Sequence, residues 1–167
     1  MKAAIETRED AGSFHEGTLT ISREFAAPRD LVFRAWTQAE HFARWFGPHG
    51  SAVKDCVLDA RAGGTIHFRH EGGSAEVWVG GTFLEVTPPE RIRFEWYLSD
   101  ASGAIVPRPG FSDTTRVTAE LTVVPGGTLV SIRHEGLARE QGELQGWMES
   151  LDRLDEHLRA APREEQP

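Results

Sequence analysis

The sequence predicts an α+β domain in which a curved antiparallel sheet wraps around one long C-terminal helix. Three observations support this prediction. The central run from Gly63 to Trp96 contains successive strand patterns that are separated only by short turns. Two short helical patterns follow the first strand, and an amphipathic helical pattern closes the chain. The short connections favour antiparallel pairing, because parallel strands need longer crossovers.

The elements before the central run are a tail, a strand and two helices. Residues 1–16 are polar and lack periodicity, so we expect an N-terminal tail. The segment Thr18–Phe25 alternates polar and apolar residues, which is typical of a half-buried strand. Pro28 is predicted at the first position of a helix, where its missing N–H leaves no bond unmade. Thr37 and Glu40 have the spacing of a capping box for the second helix.

The region from 51 to 135 is predicted to contain six strands with short connections. Gly72 and Gly73 favour a hairpin turn, and a double proline and two further glycines mark later breaks. The pair Gly80-Gly81 interrupts a strand pattern, which predicts a β-bulge that increases sheet curvature. The predicted strands cover residues 52–60, 65–70, 75–86, 91–98, 114–124 and 128–134.

The last predicted element is a helix over residues 138–161, followed by a charged tail over 162–167. The globular domain is therefore predicted over 17–161. Gly142 and Gly146 fall within this helix, and each costs about 1 kcal/mol relative to alanine. We expect close approach of a strand there, with room for a ligand as the alternative. Apolar residues at helical spacing form one face: Leu144, Trp147, Met148, Leu151, Leu154 and Leu158.

Composition limits the compartment and the partners. With 167 residues, 39% of them hydrophobic, the chain can bury one core. A formal net charge of −8 repels phosphate backbones and anionic lipids, so neither nucleic acid nor a membrane is an expected partner. No apolar run approaches the roughly 20 residues that cross a bilayer. The single Cys56 is typical of a reducing compartment, so a cytoplasmic location is predicted.

Six motifs occur in order along the chain. They are the run 23–37, Trp45-Phe46-Gly47-Pro48, Arg61-Ala62-Gly63-Gly64, the stretch 86–95 with its double proline, Gly127-Thr128, and Gly146-Trp147 with Leu151-Asp152-Arg153-Leu154. In this order the motifs resemble proteins related to the activator of the heat-shock protein Hsp 90 ATPase, and the resemblance covers roughly residues 18–160. That family belongs to the START-like, Bet v 1-like (SRPBCC) domains, which have the helix-grip fold.

The resemblance implies a cavity between the sheet and the C-terminal helix that holds a hydrophobic or aromatic small molecule. Relatives include lipid carriers, aromatic polyketide cyclases, hydrolases and antibiotic-sequestering proteins, so the fold alone does not select a reaction. No catalytic set and no cofactor carry over to this chain. Aromatic residues suit such a cavity because they offer large contact areas with few rotatable bonds. The predicted ligand-binding residues are Trp45, Phe68, Trp78, Phe83, Trp96, His134, Trp147 and Leu151.

Two alternatives to simple binding stay open at this point. The first is a cyclase- or hydrolase-type enzyme, which would need His70 or His134 buried beside a carboxylate. His67 has the opposite parity and is expected to face solvent. The second is a chaperone-linked or homodimeric interaction module, which would need an exposed apolar patch. No metal is expected, because the chain lacks a His-x-x-x-His pair and a cysteine pair. Arg23 is expected to form a salt bridge with a carboxylate at the rim, with recognition of an acidic ligand as the alternative.

Overall fold

The sheet and its helices follow the predicted architecture. The protein is described by a computed structural model over residues 11–72, 75–107, 113–138, 140 and 142–160. In these ranges eight antiparallel strands form one sheet in the order β1-β2-β8-β7-β6-β5-β4-β3. The strands are β1 (Ala11–His15), β2 (Thr18–Phe25), β3 (Ala52–Leu58), β4 (Thr65–Gly72), β5 (Ala75–Thr87), β6 (Arg91–Ser99), β7 (Thr115–Val124) and β8 (Gly127–Glu135). The helices are α1 (Arg29–Thr37), α2 (Ala39–Trp45) and α3 (Glu143–Ala160). The predicted helix-grip fold is confirmed.

The core lies between the inner face of the sheet and one stripe of α3. Strands β2 and β8 alternate buried and more exposed residues with a period of two, as half-buried strands do. On α3, Trp147, Leu151, Leu154 and Leu158 are buried at helical spacing. Burial of apolar area at about 25 cal/mol per Å² is the main term that holds the sheet against the helix. Within the described ranges, no helix is both long and apolar enough to cross a membrane.

Strand β1 lies in the segment that was predicted as a tail. Residues 11–15 pair with β2, so the tail prediction is wrong there, while residues 1–10 lie outside the described ranges. A Cβ at Gly12 would lie only 2.7 Å from Leu144 Cδ1, so the glycine lets α3 approach the sheet edge. This edge strand is short and its apolar pattern weak. Pairing with β2 and contact with α3, which periodicity does not report, hold it in place.

The boundaries of α1 and α2 differ from the prediction at both caps. Pro28 is the N-cap residue of α1, one position earlier than expected. Thr37 is the last residue of α1, and its hydroxyl donates to the Phe33 carbonyl oxygen at 2.8 Å. The N-cap of α2 is Gln38, which makes no side-chain capping bond. The predicted capping box is therefore wrong, because Thr37 bonds back into its own helix.

Helix α3 begins at Glu143, five residues later than predicted. Gly142 precedes it with φ +100°, a conformation that residues with a Cβ rarely adopt. A Cβ on Gly146 would meet no atom within 4 Å, so the expected close approach of a strand is wrong. Gly142 therefore acts through its backbone conformation, and Gly146 faces open space.

The bulge in β5 lies further along the strand than predicted. Gly80 pairs regularly with Tyr97, and Gly81 with Trp96, while the register shifts between Phe83 and Glu85. A Cβ at Gly80 would lie 2.8 Å from the Tyr97 ring. At Gly81 it would lie 2.3 Å from the Glu95 carbonyl oxygen. These glycines admit close neighbours on β6, so glycine here signals crowding and not a bulge.

Candidate ligand pocket

A pocket of about 180 Å³ opens near the start of α3, where the ends of strands β4 to β8 meet the segment after α2. Helix α3 contributes its first residue, Glu143, to the lining. The buried residues further along α3 do not line the pocket. Phe46, Phe68 and Trp96 form its aromatic wall. The further lining residues are Val79, Tyr97, Leu98, Val106, Asp113, Thr115, His134, Leu137, Ala138 and Glu143. The pocket therefore combines an aromatic interior with a few polar groups, as small-molecule sites commonly do.

The aromatic wall continues into a packed cluster behind the pocket. The Phe46 ring meets Phe68 and Trp96 edge-to-face, with centroids 5.7 and 5.4 Å apart. Trp147 lies nearly parallel to Trp96, with centroids 6.2 Å apart, and to Trp36 on its other side at 6.0 Å. Edge-to-face and offset parallel contacts are the arrangements that aromatic rings favour. The wall is therefore supported by further rings.

His134 forms the polar end of the pocket and is held neutral. Trp147 Nε1–H donates to His134 Nδ1 at 3.2 Å, and His134 Nε2 lies 2.8 Å from Thr115 Oγ1. An indole nitrogen can only donate, so Nδ1 must accept and the single proton of neutral imidazole lies on Nε2. His134 Nε2–H therefore donates to Thr115. Burial lowers the pKa of His134 to about 4, which is consistent with this neutral form.

His70 lies beside Phe46 and is also shifted toward its neutral form. The two ring centroids are 6.3 Å apart. Burial, and then the nearby positive charge of Arg153, lower the pKa of His70. Its Nε2 is buried, and among the described residues it has no hydrogen-bond partner. Over the same ranges, no three histidine, cysteine or carboxylate side chains are grouped so that they could hold a metal ion.

Four of the predicted ligand-binding residues lie at the pocket. Phe68, Trp96 and His134 line it, and Trp147 lies directly behind it with its indole N–H on His134. Strand alternation placed the first three on the inner face, and helical spacing placed Trp147 on the inner side of α3. The hydrogen bond between Trp147 and His134, by contrast, depends on how the helix meets the sheet.

Three other predicted residues are packed in the core and are absent from the pocket lining. Trp45 is fully buried, and its indole N–H donates to the Ala35 carbonyl oxygen at 2.8 Å. Phe83 is buried against Phe94, with ring centroids 6.1 Å apart. Leu151 is fully buried on α3. These residues face inward as expected, but neighbouring side chains fill the space around them.

The structure places Trp78 on the outer face of the sheet, away from the pocket. Its ring stacks on His67 with centroids 4.7 Å apart, so His67 also lies on the outer face as expected. The bulge predicted at Gly80-Gly81 left the relative parity of Trp78 and Phe83 undefined. Because β5 is regular between them, these residues, five apart, point to opposite faces. Phe83 therefore faces the core and Trp78 does not.

Sequence reasoning missed several lining residues. Leu98 follows Trp96 by two positions, and alternation could have indicated it. Val79 pairs with Leu98 across β5 and β6, and Thr115 pairs with Trp96 across β6 and β7. The positions of Val79 and Thr115 depend on strand register, which cannot be predicted from the sequence alone. Thr115 is the most consequential omission, because it supplies a hydroxyl beside the aromatic wall.

Helix α3 holds the segment that carries Phe46. Arg153 Nη1 lies 3.2 Å from the Phe46 carbonyl oxygen and 3.1 Å from that of Gly47. The same nitrogen is 3.1 Å from the Pro48 carbonyl oxygen, and Gly47 N–H donates to Ser150 Oγ at 2.9 Å. These contacts satisfy carbonyl groups just after the end of α2. Arg153 thereby orients Phe46 toward the pocket.

Replacing Arg153 with methionine should destabilise the protein by about 1–3 kcal/mol, because several carbonyl acceptors lose a charged donor. Methionine keeps an unbranched side chain and removes only the guanidinium. Urea unfolding would measure the loss. The control is Arg159→Met on the same helix, where the guanidinium pairs with Asp155 at an exposed site. Equal effects of the two substitutions would show that Arg153 does not hold the segment.

Arg23 reaches a carboxylate, as predicted. Its Nη2 lies 2.8 Å from Asp152 Oδ1 and 3.4 Å from the Met148 carbonyl oxygen. The Arg23 side chain is 9% exposed, whereas that of Asp152 is 48% exposed. The pair therefore joins β2 to α3 with one partner buried and the other in contact with water.

The family of the chain follows from comparison with known proteins. The model of the family described as "Activator of Hsp90 ATPase homolog 1-like protein" matches residues 26–159. The chain belongs to this family. Comparison with curated proteins finds no match. The family assignment agrees with the sheet order and with the position of α3 described above.

Solved bacterial structures are similar to this AHSA1-like chain over most of its length. One from Chromobacterium violaceum is 27% identical, covers 87% of this chain and 99% of its own, and has a TM-score of 0.74. One from Nitrosomonas europaea is 26% identical, with coverages of 88% and 97% and a TM-score of 0.73. An AHSA1 protein from Silicibacter pomeroyi, at 24% identity, coverages of 85% and 97% and a TM-score of 0.67, shares the fold.

Proposed function

We propose that this AHSA1-like protein binds a small hydrophobic or aromatic molecule in the pocket. The observation that carries the proposal is the wall of Phe46, Phe68 and Trp96 around a space of about 180 Å³. An apolar protein cavity of about 150 Å³ can hold benzene. The size of the pocket therefore favours molecules of one or two rings. The neutral His134 at its polar end adds no charge that such a ligand would have to balance.

The surroundings of His134 support binding over catalysis. A general base works best when its pKa lies near the working pH, and burial lowers that of His134 to about 4. Its two ring nitrogens face Trp147 and Thr115, which are neutral partners. A cyclase or hydrolase mechanism would need a carboxylate at one of these positions. The enzyme alternative therefore has less support than binding.

Filling the pocket with a larger side chain should weaken binding of an apolar probe. We expect naphthalene to shift the indole N–H signal of Trp96 in nitrogen–proton correlation NMR spectra of the wild-type protein. Val79→Phe should weaken this binding at least about tenfold, because the larger side chain occupies the space of the ring. The matched control is Val123→Phe on β7, where Val123 is 63% exposed.

Two outcomes would contradict the proposal. Absence of any naphthalene-dependent shift in the wild-type protein would remove the support for an aromatic ligand. Equal affinities of Val79→Phe and wild type would place the bound probe outside this pocket. Native mass spectrometry of protein purified from its own host would then show whether another small molecule accompanies the chain.

The remaining expectations on partners and compartment stay predictions. An interaction module would present a continuous apolar patch. Among the described residues, the exposed Val57 on β3 and Val123 on β7 lie far apart in the sheet order, whereas the exposed Ile105 and Val106 are neighbours in the segment after β6. Sedimentation at several concentrations would test the homodimer. The cytoplasmic location continues to rest on the single Cys56, and the exclusion of nucleic acid and membranes rests on the net charge of −8.

A further inference from the structure

The hydrogen bonds at the polar end of the pocket have one direction. Trp147 donates to His134 Nδ1, so the proton of the neutral ring lies on Nε2 and is donated to Thr115 Oγ1. The Thr115 oxygen therefore already accepts a bond. Its own hydrogen remains to be donated, and within the described part of the chain its hydroxyl has no partner besides His134.

The hydroxyl of Thr115 lies where a ligand would contact it. Thr115 pairs with Trp96 across β6 and β7, and both residues line the pocket. An aromatic ligand against Trp96 would displace water from this hydroxyl. An O–H group that loses water without gaining an acceptor is penalised more than a second unused lone pair on the same oxygen. The arrangement thus favours a ligand that accepts a hydrogen bond.

We propose that the pocket selects uncharged aromatic molecules that carry an acceptor oxygen next to the ring, such as an aryl ketone, with Thr115 as the donor. This inference rests on the proposed function, because it concerns the same pocket. Thr115 is here a specificity-determining residue. His134 and Trp147 act through Thr115. Their hydrogen bonds make the Thr115 oxygen an acceptor toward His134, so that its O–H remains to donate to the ligand.

The test compares acetophenone with α-methylstyrene, in which a methylene group replaces the carbonyl oxygen at nearly the same shape. Both are titrated into the wild type, Thr115→Val and Thr115→Ser, with the Trp96 indole N–H signal as the readout. Thr115→Val removes the hydroxyl at nearly constant volume. It should weaken acetophenone binding roughly three- to tenfold and leave α-methylstyrene binding unchanged or tighter. Thr115→Ser keeps the hydroxyl and should keep the acetophenone affinity near that of the wild type.

The outcomes separate this inference from the function on which it rests. If both probes bind and Thr115→Val changes their affinities equally, or changes neither, the hydroxyl does not select an acceptor and the inference fails while the binding function stands. If neither probe binds the wild type, both fail. If Thr115→Ser loses acetophenone as Thr115→Val does, the hydroxyl is not the group that matters, and the inference fails.

Discussion

Replacing Leu151 with alanine should lower the free energy of unfolding by about 2–5 kcal/mol, which would be the largest effect of any single substitution considered for this protein. Leu151 is fully buried on α3. Truncation removes apolar contacts and leaves a cavity that the rigid sheet and helix close only in part. Urea unfolding, monitored by tryptophan fluorescence, would measure the change in the free energy of unfolding.

The same substitution separates a core residue from a ligand-contacting one. Leu151 was predicted to contact the ligand, whereas the pocket lies nearer the start of α3. We therefore expect Leu151→Ala to change stability and leave naphthalene affinity nearly unchanged under conditions in which the variant is folded. Val123→Ala, at a 63% exposed position, serves as the control and should have little effect. A stable Leu151→Ala variant with altered naphthalene affinity would return Leu151 to the binding site.

Acidification should destabilise the protein through His134. The pKa of His134 is about 4 in the folded protein, below its ordinary value of 6.5, because burial disfavours the charged ring. The unfolded chain therefore binds more protons between these two values, so stability falls as the pH is lowered through this window. Each unit of difference between the unfolded and folded pKa values contributes about 1.4 kcal/mol. The free energy of unfolding should therefore fall by about 3 kcal/mol near pH 4. Urea unfolding at a series of pH values would measure it.

A variant without the titrating ring should show a weaker pH dependence. His134→Gln should reduce the slope of stability against pH between about 6.5 and 4, whatever its effect on absolute stability. The slope should not vanish, because burial and the charge of Arg153 also lower the pKa of His70. Val123→Ala, which removes no titrating group at a 63% exposed position, should keep the wild-type slope. An identical slope in wild type and His134→Gln would show that His134 does not stay neutral on folding.

The sequence alone determined the fold and all of its elements except β1. Alternation with a period of two along the strands, and the apolar stripe on the last helix, are local patterns that report which side of each element is buried. They placed Phe68 and Trp96 on the inner face and Trp147 on the inner side of α3. They failed at β1, an edge strand with a weak pattern that is held by β2 and α3. They also failed at Gly80-Gly81. Close contacts with β6 require glycine at these positions, and a glycine pair has the same sequence signature as a β-bulge.

Only the tertiary structure decided which inward residues line a pocket and which fill the core. Trp45 and Leu151 have the same burial signature in sequence as Phe68, and all three are fully buried in the structure, yet of the three only Phe68 lines the pocket. The pairing of Thr115 with Trp96 depends on strand register, and the bond from Trp147 to His134 depends on how α3 meets β8. Such contacts join elements through space, and hydropathy along the chain carries no information about distances between them.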